Sequence, residues 1–302
     1  MMSRSRRIAV LAERGFTPAG ALRFPYSRLM TESMVRDALA EDVAENDITA
    51  IATIVSDRRA RCSIIARQGG IISGIALARE SFRQRDPKAS VRAAVRDGHF
   101  VAAGTPVIFI TGHARGILSA ERVALNYMQH LSGISTLTAE FVKAVRGTKA
   151  RILDTRKTLP GWRRLEKYAV RAGGGMNHRM DLASAVLIKD NHLRALSGDV
   201  RLAVQRAREI APRNTPVEIE CDTLEQVHAA VDAEADIIML DNMSNDDLAD
   251  AVVAIGGRAV TEASGGVRLD TVCAIADTGV DWISVGALTH SPKAMDLALD
   301  FE

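Results

Sequence analysis

The chain has 302 residues, of which 47% are hydrophobic and 25% charged, the proportions of a globular protein with a substantial core. Such a length excludes a disulfide-held miniprotein, and the balance of 39 Lys and Arg against 37 Asp and Glu excludes the basic excess of a nucleic-acid binder. Aromatics are only 4%, so the core must be built from Ala, Val, Leu and Ile.

Residues 1–25 are basic and irregular, broken by Pro18, Gly20 and Pro25, and read as an arm. Its apolar stretch Ile8 to Ala12 is closed by Glu13 and is too short for a signal peptide. Residues 26–130 read as an α+β sheet domain. A short amphipathic helix over Ser33 to Leu39 precedes the β-rich runs ARCSIIA, GGIISGIAL, ASVRAAV and HFVAAGTPVIFI, punctuated by Gly69, Gly70, Gly98 and Gly104. Ser119 is placed to cap a bridging helix whose Val123, Tyr127 and Leu131 share one face, and a second helix is expected near Phe141 to Val145. The run Gly98 to Ala114 contains Gly104, Pro106 and Gly112 and is a poor membrane span. Cys62, Cys221 and Cys273 form no CxxC pair, so neither a disulfide framework nor a zinc site is indicated, and a reducing, cytoplasmic setting is expected.

From about residue 131 to 290 the pattern becomes that of a barrel. Six apolar runs each end in a polar or glycine-containing tail: RILDTRKT, AVLIKDNH, VEIECD, IIMLDN, AVTEASGG and WISVGAL. Most are separated by helical stretches such as TLEQVHAAV, NDDLADAVVAI and RLDTVCAIAD. Near-continuous apolar strands alternating with helices specify parallel βαβ units, and the lack of a GxGxxG or GxxxxGK[ST] loop favours a barrel over a doubly wound sheet. Residues 291–302 are left as a C-terminal tail.

In a βα barrel the chemistry gathers at the C-terminal strand ends. Those ends carry Asp154, Arg156 and Lys157; Lys189, Asp190 and His192; Glu218 and Glu220; Asp241 and Asn242; Glu262, Ser264, Gly265 and Gly266; and Gly286. A single charge after a strand is usually a solvated loop, but six such ends together indicate a site. Between Arg151 and His192 there are nine Lys and Arg against four Asp and Glu, with only Trp162 and Tyr168 as stacking aromatics. That composition suits a small polyanion better than a nucleic acid. Arg163, Arg164, Lys167 and Arg171 are read instead as a helix surface. Ser264-Gly265-Gly266 lets backbone N–H groups approach an anion, and Gly286 completes a phosphate cradle. Glu220 and Asp241 on consecutive strands place two carboxylates at one rim, suited to Mg²⁺ and sugar hydroxyls, or otherwise to salt bridges with neighbouring cations. Gly173-Gly174-Gly175 forms a turn with a specific backbone demand, presenting His178 and Arg179.

The strings ERVALNYMQHLSGIST, DTRKTLPGWRRLEKYAVRAGGGMNHRM, VLIKDNH, VEIECDTLEQ, IIMLDNMS, TEASGGV and VDWISVGALTHS resemble quinolinate phosphoribosyltransferase, in family order from about Ala38 onward. The resemblance implies an open, irregular α/β barrel with an N-terminal α+β sheet domain, and a homodimer with shared active sites. It implies phosphoribosyl transfer from phosphoribosyl pyrophosphate to quinolinate, with Mg²⁺ as cofactor and release of pyrophosphate and CO2, giving nicotinate mononucleotide for NAD synthesis. The quinolinate-binding residues it implies are Arg156, His178, Arg179 and Lys189, with Arg122 reaching in from the partner subunit. Thr155 and Lys157 then meet the phosphates, Glu220 and Asp241 hold the ribose and Mg²⁺, and Ser264, Gly265, Gly266, Gly286 and Ala287 receive the 5-phosphate.

The sequence departs from the family pattern at Asp181, where a glycine is usual, at Leu159 and Trp162, and at Asn46. Asp181 either pairs with Arg179 and weakens the anion site or points away. Other classes make different demands on these residues. A barrel lyase would use Lys189 as a Schiff-base nucleophile. A carrier domain is suggested by DGHFVAAGTPV, which has no lysine at its turn, and a molybdenum-transport-associated paralogue is opposed by the intact DTRK, NHR and KDNH strings.

Overall fold

Strand β1 (Arg59–Ala66) buries Cys62, Ile64 and Ala66 at period-two spacing, and β5 (Pro106–His113) answers with Ile110 opposite Cys62 and Ile108 opposite Ile64. With β3 (Ser90–Ala93) and β12 (Leu297–Phe301) they form an antiparallel sheet in the order β12-β1-β5-β3, and β2 (Gly70–Ile71) pairs separately with β4 (Phe100–Val101). Helix Ile75–Arg85 contributes Ala78 and Phe82 to the core of this sheet, and helix Ala114–Ala144 contributes Ile117, Ala120, Ala124 and Met128 along one stripe.

The computed structural model describes residues 22–302, so the basic arm lies outside the described residues except for 22–25. Among these residues the chain forms two compact units, one of residues 22–139, 164–174 and 291–302, the other of 140–163 and 175–290. No helix of the described residues is long and apolar enough to cross a membrane.

Three expectations change in the first unit. Ser119 caps nothing: it is buried five residues inside a single 31-residue helix that replaces the two expected. Gly133 within this helix serves close packing, since a Cβ there would overlap the Lys293 carbonyl oxygen and come within 3.1 Å of its carbon. The expected tail is strand β12, its Leu297 pairing with Ala66 and its Phe301 with Cys62. The segment 164–174 also belongs to this unit, because Ser135 Oγ donates to the Ala169 carbonyl at 2.8 Å and His130 Nε2 lies 2.8 Å from Glu166 Oε1. Within helix Arg163–Ala172 only Arg164 is fully exposed, and Lys167 is buried, so a helix surface is the wrong description of Lys167. Gly133→Ala is expected to lower stability by about 1–3 kcal/mol through overpacking against main chain, read as a lower thermal midpoint. An unchanged midpoint would mean that the Lys293 segment yields freely.

The second unit is the expected parallel sheet. Strands β6 (Arg151–Leu153), β7 (Val186–Ile188), β8 (Val217–Cys221), β9 (Ile237–Asp241), β10 (Val260–Ser264) and β11 (Trp282–Ser284) are ordered β6-β11-β10-β9-β8-β7, and Met176 adds a parallel bridge beside Leu153. Among the described residues no pairing joins β7 to that bridge, so the barrel is open. Asp199, Thr223 and Ser244 cap successive crossover helices, each side chain accepting a backbone N–H three residues ahead. The Gly173–Gly175 turn has the expected backbone demand, with Gly174 at φ +88° and a Cβ at Gly173 only 2.7 Å from Thr138 Cβ.

Candidate active site

Alternation along the strands decides what faces the barrel interior. On β8, Val217, Ile219 and Cys221 point one way while Glu218 and Glu220 share the other face, and β9 and β10 likewise offer Met239 with Asp241 and Glu262 with Ser264. At the strand ends lies a cavity of about 530 Å³. Eleven residues selected from the sequence line it: Thr155, Arg156, Lys157, His178, Arg179, Lys189, Glu220, Asp241, Ser264, Gly265 and Gly266. Leu187, Met239, Asn242 and Ser284 line it as well. Asn242 already stood among the strand-end residues. Leu187, Met239 and Ser284 were missed, although each sits two positions before a selected residue.

Three proposed residues lie elsewhere. Gly286 packs under Lys157, where a Cβ would meet Lys157 Cδ at 3.0 Å, and Ala287 begins the helix Ala287–His290. Arg122 is exposed on helix Ala114–Ala144, in the other unit.

The cavity is poised for an anion. Among the described residues Arg156 Nε is buried without a hydrogen-bond partner, a donor suited to an anion. Arg179 Nη1 donates to the Ala185 carbonyl at 2.9 Å, and burial, then the nearby Arg156, lower its pKa. Lys189 Nζ lies 2.5 Å from Glu220 Oε2, so part of the salt-bridge alternative is realised. The loop carrying Lys157 is tied down at both ends. Thr155 Oγ1 accepts the Lys157 N–H at 3.0 Å, and Thr289 Oγ1 donates to the Lys157 carbonyl at 2.8 Å.

Ser264-Gly265-Gly266 has the backbone shape anticipated. Gly265 at φ +92° and Gly266 at φ +56° are both left-handed, and a Cβ on Gly265 would come within 2.9 Å of the Asn242 backbone nitrogen. Asn242, itself left-handed at φ +55°, donates from Nδ2 to Asp241 Oδ2 at 2.6 Å. Beyond Glu220 and Asp241 opens a second cavity of about 610 Å³ that Asp190 and Asp222 also line, so these two carboxylates separate a cationic chamber from an acidic one.

Below the rim, His178 Nε2 stands 3.3 Å from Glu218 Oε2 and 3.4 Å from Glu262 Oε1, all three residues being buried. Its Nδ1 accepts the backbone N–H of Arg179 at 2.8 Å. Burial opposes a charge on the ring, but Glu218 and Glu262 overcome it and raise the pKa to about 10, while burial also raises that of Glu218. The two carboxylates draw a proton to Nε2, whereas the Arg179 N–H directed at Nδ1 opposes a second proton there, so the ring proton is placed on Nε2.

Models of the quinolinate phosphoribosyl transferase N-terminal and C-terminal domains match residues 47–132 and 134–300. The chain belongs to the quinolinate phosphoribosyltransferase family. It is 44% identical to the nicotinate-nucleotide pyrophosphorylase [carboxylating] of Mycobacterium leprae (strain TN), over 88% of this chain and 95% of that protein. It is 39% identical to a probable enzyme of the same name from Bacillus subtilis (strain 168), over 91% and 94% respectively. The solved structure of the nicotinate-nucleotide pyrophosphorylase from Francisella tularensis superimposes with a TM-score of 0.87 at 41% identity, covering 92% of this chain and 98% of that one.

Departures from the phosphoribosyltransferase pattern prove local. Asp181 does not line the cavity and accepts the backbone N–H groups of Ala183 and Ser184 at 3.0 and 2.9 Å, closing its own turn. Trp162 closes another turn, its N–H donating to the Leu159 carbonyl at 3.1 Å. Asn46 ends a 3-10 turn whose left-handed residue is Val43, so no glycine is demanded at position 46.

Proposed function

We propose that this cavity carries out the family's reaction: the ring nitrogen of quinolinate displaces pyrophosphate at the anomeric carbon of phosphoribosyl pyrophosphate, and the 2-carboxylate then leaves as CO2, giving nicotinate mononucleotide for de novo NAD biosynthesis. The observation that carries this reading is the convergence of Arg156, Arg179 and Lys189 on one small cavity, with Arg156 Nε buried and unpaired. Quinolinate brings two carboxylates, and planar guanidinium groups match them bidentately. The partner subunit's Arg122 supplies a further cation in this reading.

The left-handed Gly265 and Gly266 present main-chain N–H groups to the 5-phosphate, and Lys157 neutralises pyrophosphate as it departs. Gly286, packed against Lys157, and Ala287 complete the 5-phosphate cradle in this reading. Glu220 and Asp241 face the ribose, where their charge stabilises the oxocarbenium character that develops as the C–O bond breaks. Their hard oxygen donors, flanked by Asp190 and Asp222, also fit Mg²⁺. When bound there, Mg²⁺ supplies charge neutralisation for the diphosphate.

Product analysis with quinolinate, phosphoribosyl pyrophosphate and Mg²⁺ tests the reading. Quinolinate is expected to be consumed and nicotinate ignored, because a ligand with one carboxylate leaves cations unpaired at a cost of about 1–3 kcal/mol for each lost charge-assisted contact. Comparable turnover of nicotinate would overturn it.

A further inference from the structure

The reaction as described leaves two buried carboxylates without a task. Glu218 on β8 and Glu262 on β10 lie two residues below Glu220 and Ser264 on the same strand faces, fully enclosed. Among the described residues Glu262 Oε1 and Oε2 and Glu218 Oε2 lack a well-formed hydrogen bond, and His178 Nε2 lies 3.4 Å from Glu218 Oε1. A core selected for stability alone would carry apolar residues here, since buried carboxylates are costly to desolvate. Their common neighbour is the His178 ring.

That ring is a strut between two fixed points. On one side Nε2 faces both glutamates; on the other Nδ1 accepts the Arg179 N–H at 2.8 Å. The adjoining main chain is held independently, as Asp154 accepts the His178 N–H at 2.9 Å and the Asn177 side-chain amide at 2.6 Å. Arg179 is thus located at its nitrogen by the ring and at its guanidinium by the Ala185 carbonyl. We infer that Glu218 and Glu262 are positioning residues for quinolinate, orienting the His178 ring so that Arg179 is presented to a substrate carboxylate. The inference rests on the quinolinate reading above. The three donor atoms lie within 4.8 Å of one another, a spacing that a metal would also accept. The charges of Arg179 and Arg156 beside them oppose a dication.

The test compares Glu218→Ala with Glu218→Gln, and Glu262→Ala with Glu262→Gln, reading thermal stability and separate KM values for the two substrates. The alanine variants are expected to raise the KM for quinolinate about tenfold, the equivalent of one weakened charge-assisted contact, with the KM for phosphoribosyl pyrophosphate within about twofold of wild type. Glutamine, keeping an acceptor oxygen at the same reach, is expected to restore most of the loss. Equal changes in both KM values, or glutamine behaving like alanine in a folded protein, would overturn the positioning role. Should the alanine variants not fold, ¹⁵N NMR of the His178 ring in the wild type decides: Nδ1 unprotonated and Nε2 protonated near neutral pH is the expected state, and the reverse tautomer overturns the strut. Stoichiometric metal in the purified protein, lost in the glutamine variants, would overturn it too. If wild type does not consume quinolinate, the substrate reading fails, whereas the ring tautomer still reports on the strut.

Discussion

Mixing two inactive proteins, one carrying Arg122→Ala and the other Lys157→Ala, is expected to restore roughly a quarter of wild-type turnover if subunits of a twofold dimer exchange at random. Arg122 stands exposed on helix Ala114–Ala144, while Lys157 lines the cavity in the other unit. If each site takes its barrel residues from one protomer and its arginine from the partner, both homodimers lack a component at every site. A mixed dimer has one intact site and one doubly damaged site, and random exchange makes about half the molecules mixed. No recovery after verified exchange would reject the shared site. Near-normal activity of the Arg122→Ala homodimer would reduce this arginine to a surface charge worth about 0–1 kcal/mol.

Replacing Asp241 by Asn should cut kcat on the order of 10²-fold while changing quinolinate affinity little, because the carboxylate acts where positive charge develops on the ribose. Asp241 sits at the end of β9 between the cationic and acidic cavities, and the Asn242 amide holds its Oδ2 at 2.6 Å. The isostere preserves size and removes charge, so steady-state kinetics at varied Mg²⁺ separates the two roles. Unchanged kcat with unchanged Mg²⁺ dependence would place Asp241 outside the chemistry.

The barrel was legible because parallel strands covered on both faces must be apolar throughout, so each run announces its own end when polar residues appear. Ile237 to Leu240 are all buried and Asp241 emerges at the rim. That logic located nine of the cavity's residues before any coordinates, the glycine turn added His178 and Arg179, and the family resemblance added Thr155. It failed where a residue's meaning depends on something distant. Nothing near Gly133 in sequence announces the Lys293 main chain set against it, and Lys167 reads as surface until its helix is seen to be covered. The link from Glu218 and Glu262 through His178 to Arg179 joins three separate stretches of chain, and neither period nor composition encodes it. The segment LALDF was too short to announce itself as a strand.

Strand β12 pairs with β1 across nearly the whole chain, as the contact between Ser63 Oγ and Glu302 Oε1 spans 239 positions. Topologically the barrel is an insertion within the sheet domain rather than its successor. A nascent polypeptide therefore exposes β1 and β5 with one edge unpaired until the barrel has been threaded out. Closing so long a loop is entropically slow, and an open strand edge invites foreign strands meanwhile. The sheet should accordingly be the last part of the molecule to gain protection from hydrogen exchange during refolding, although it comes first in the chain.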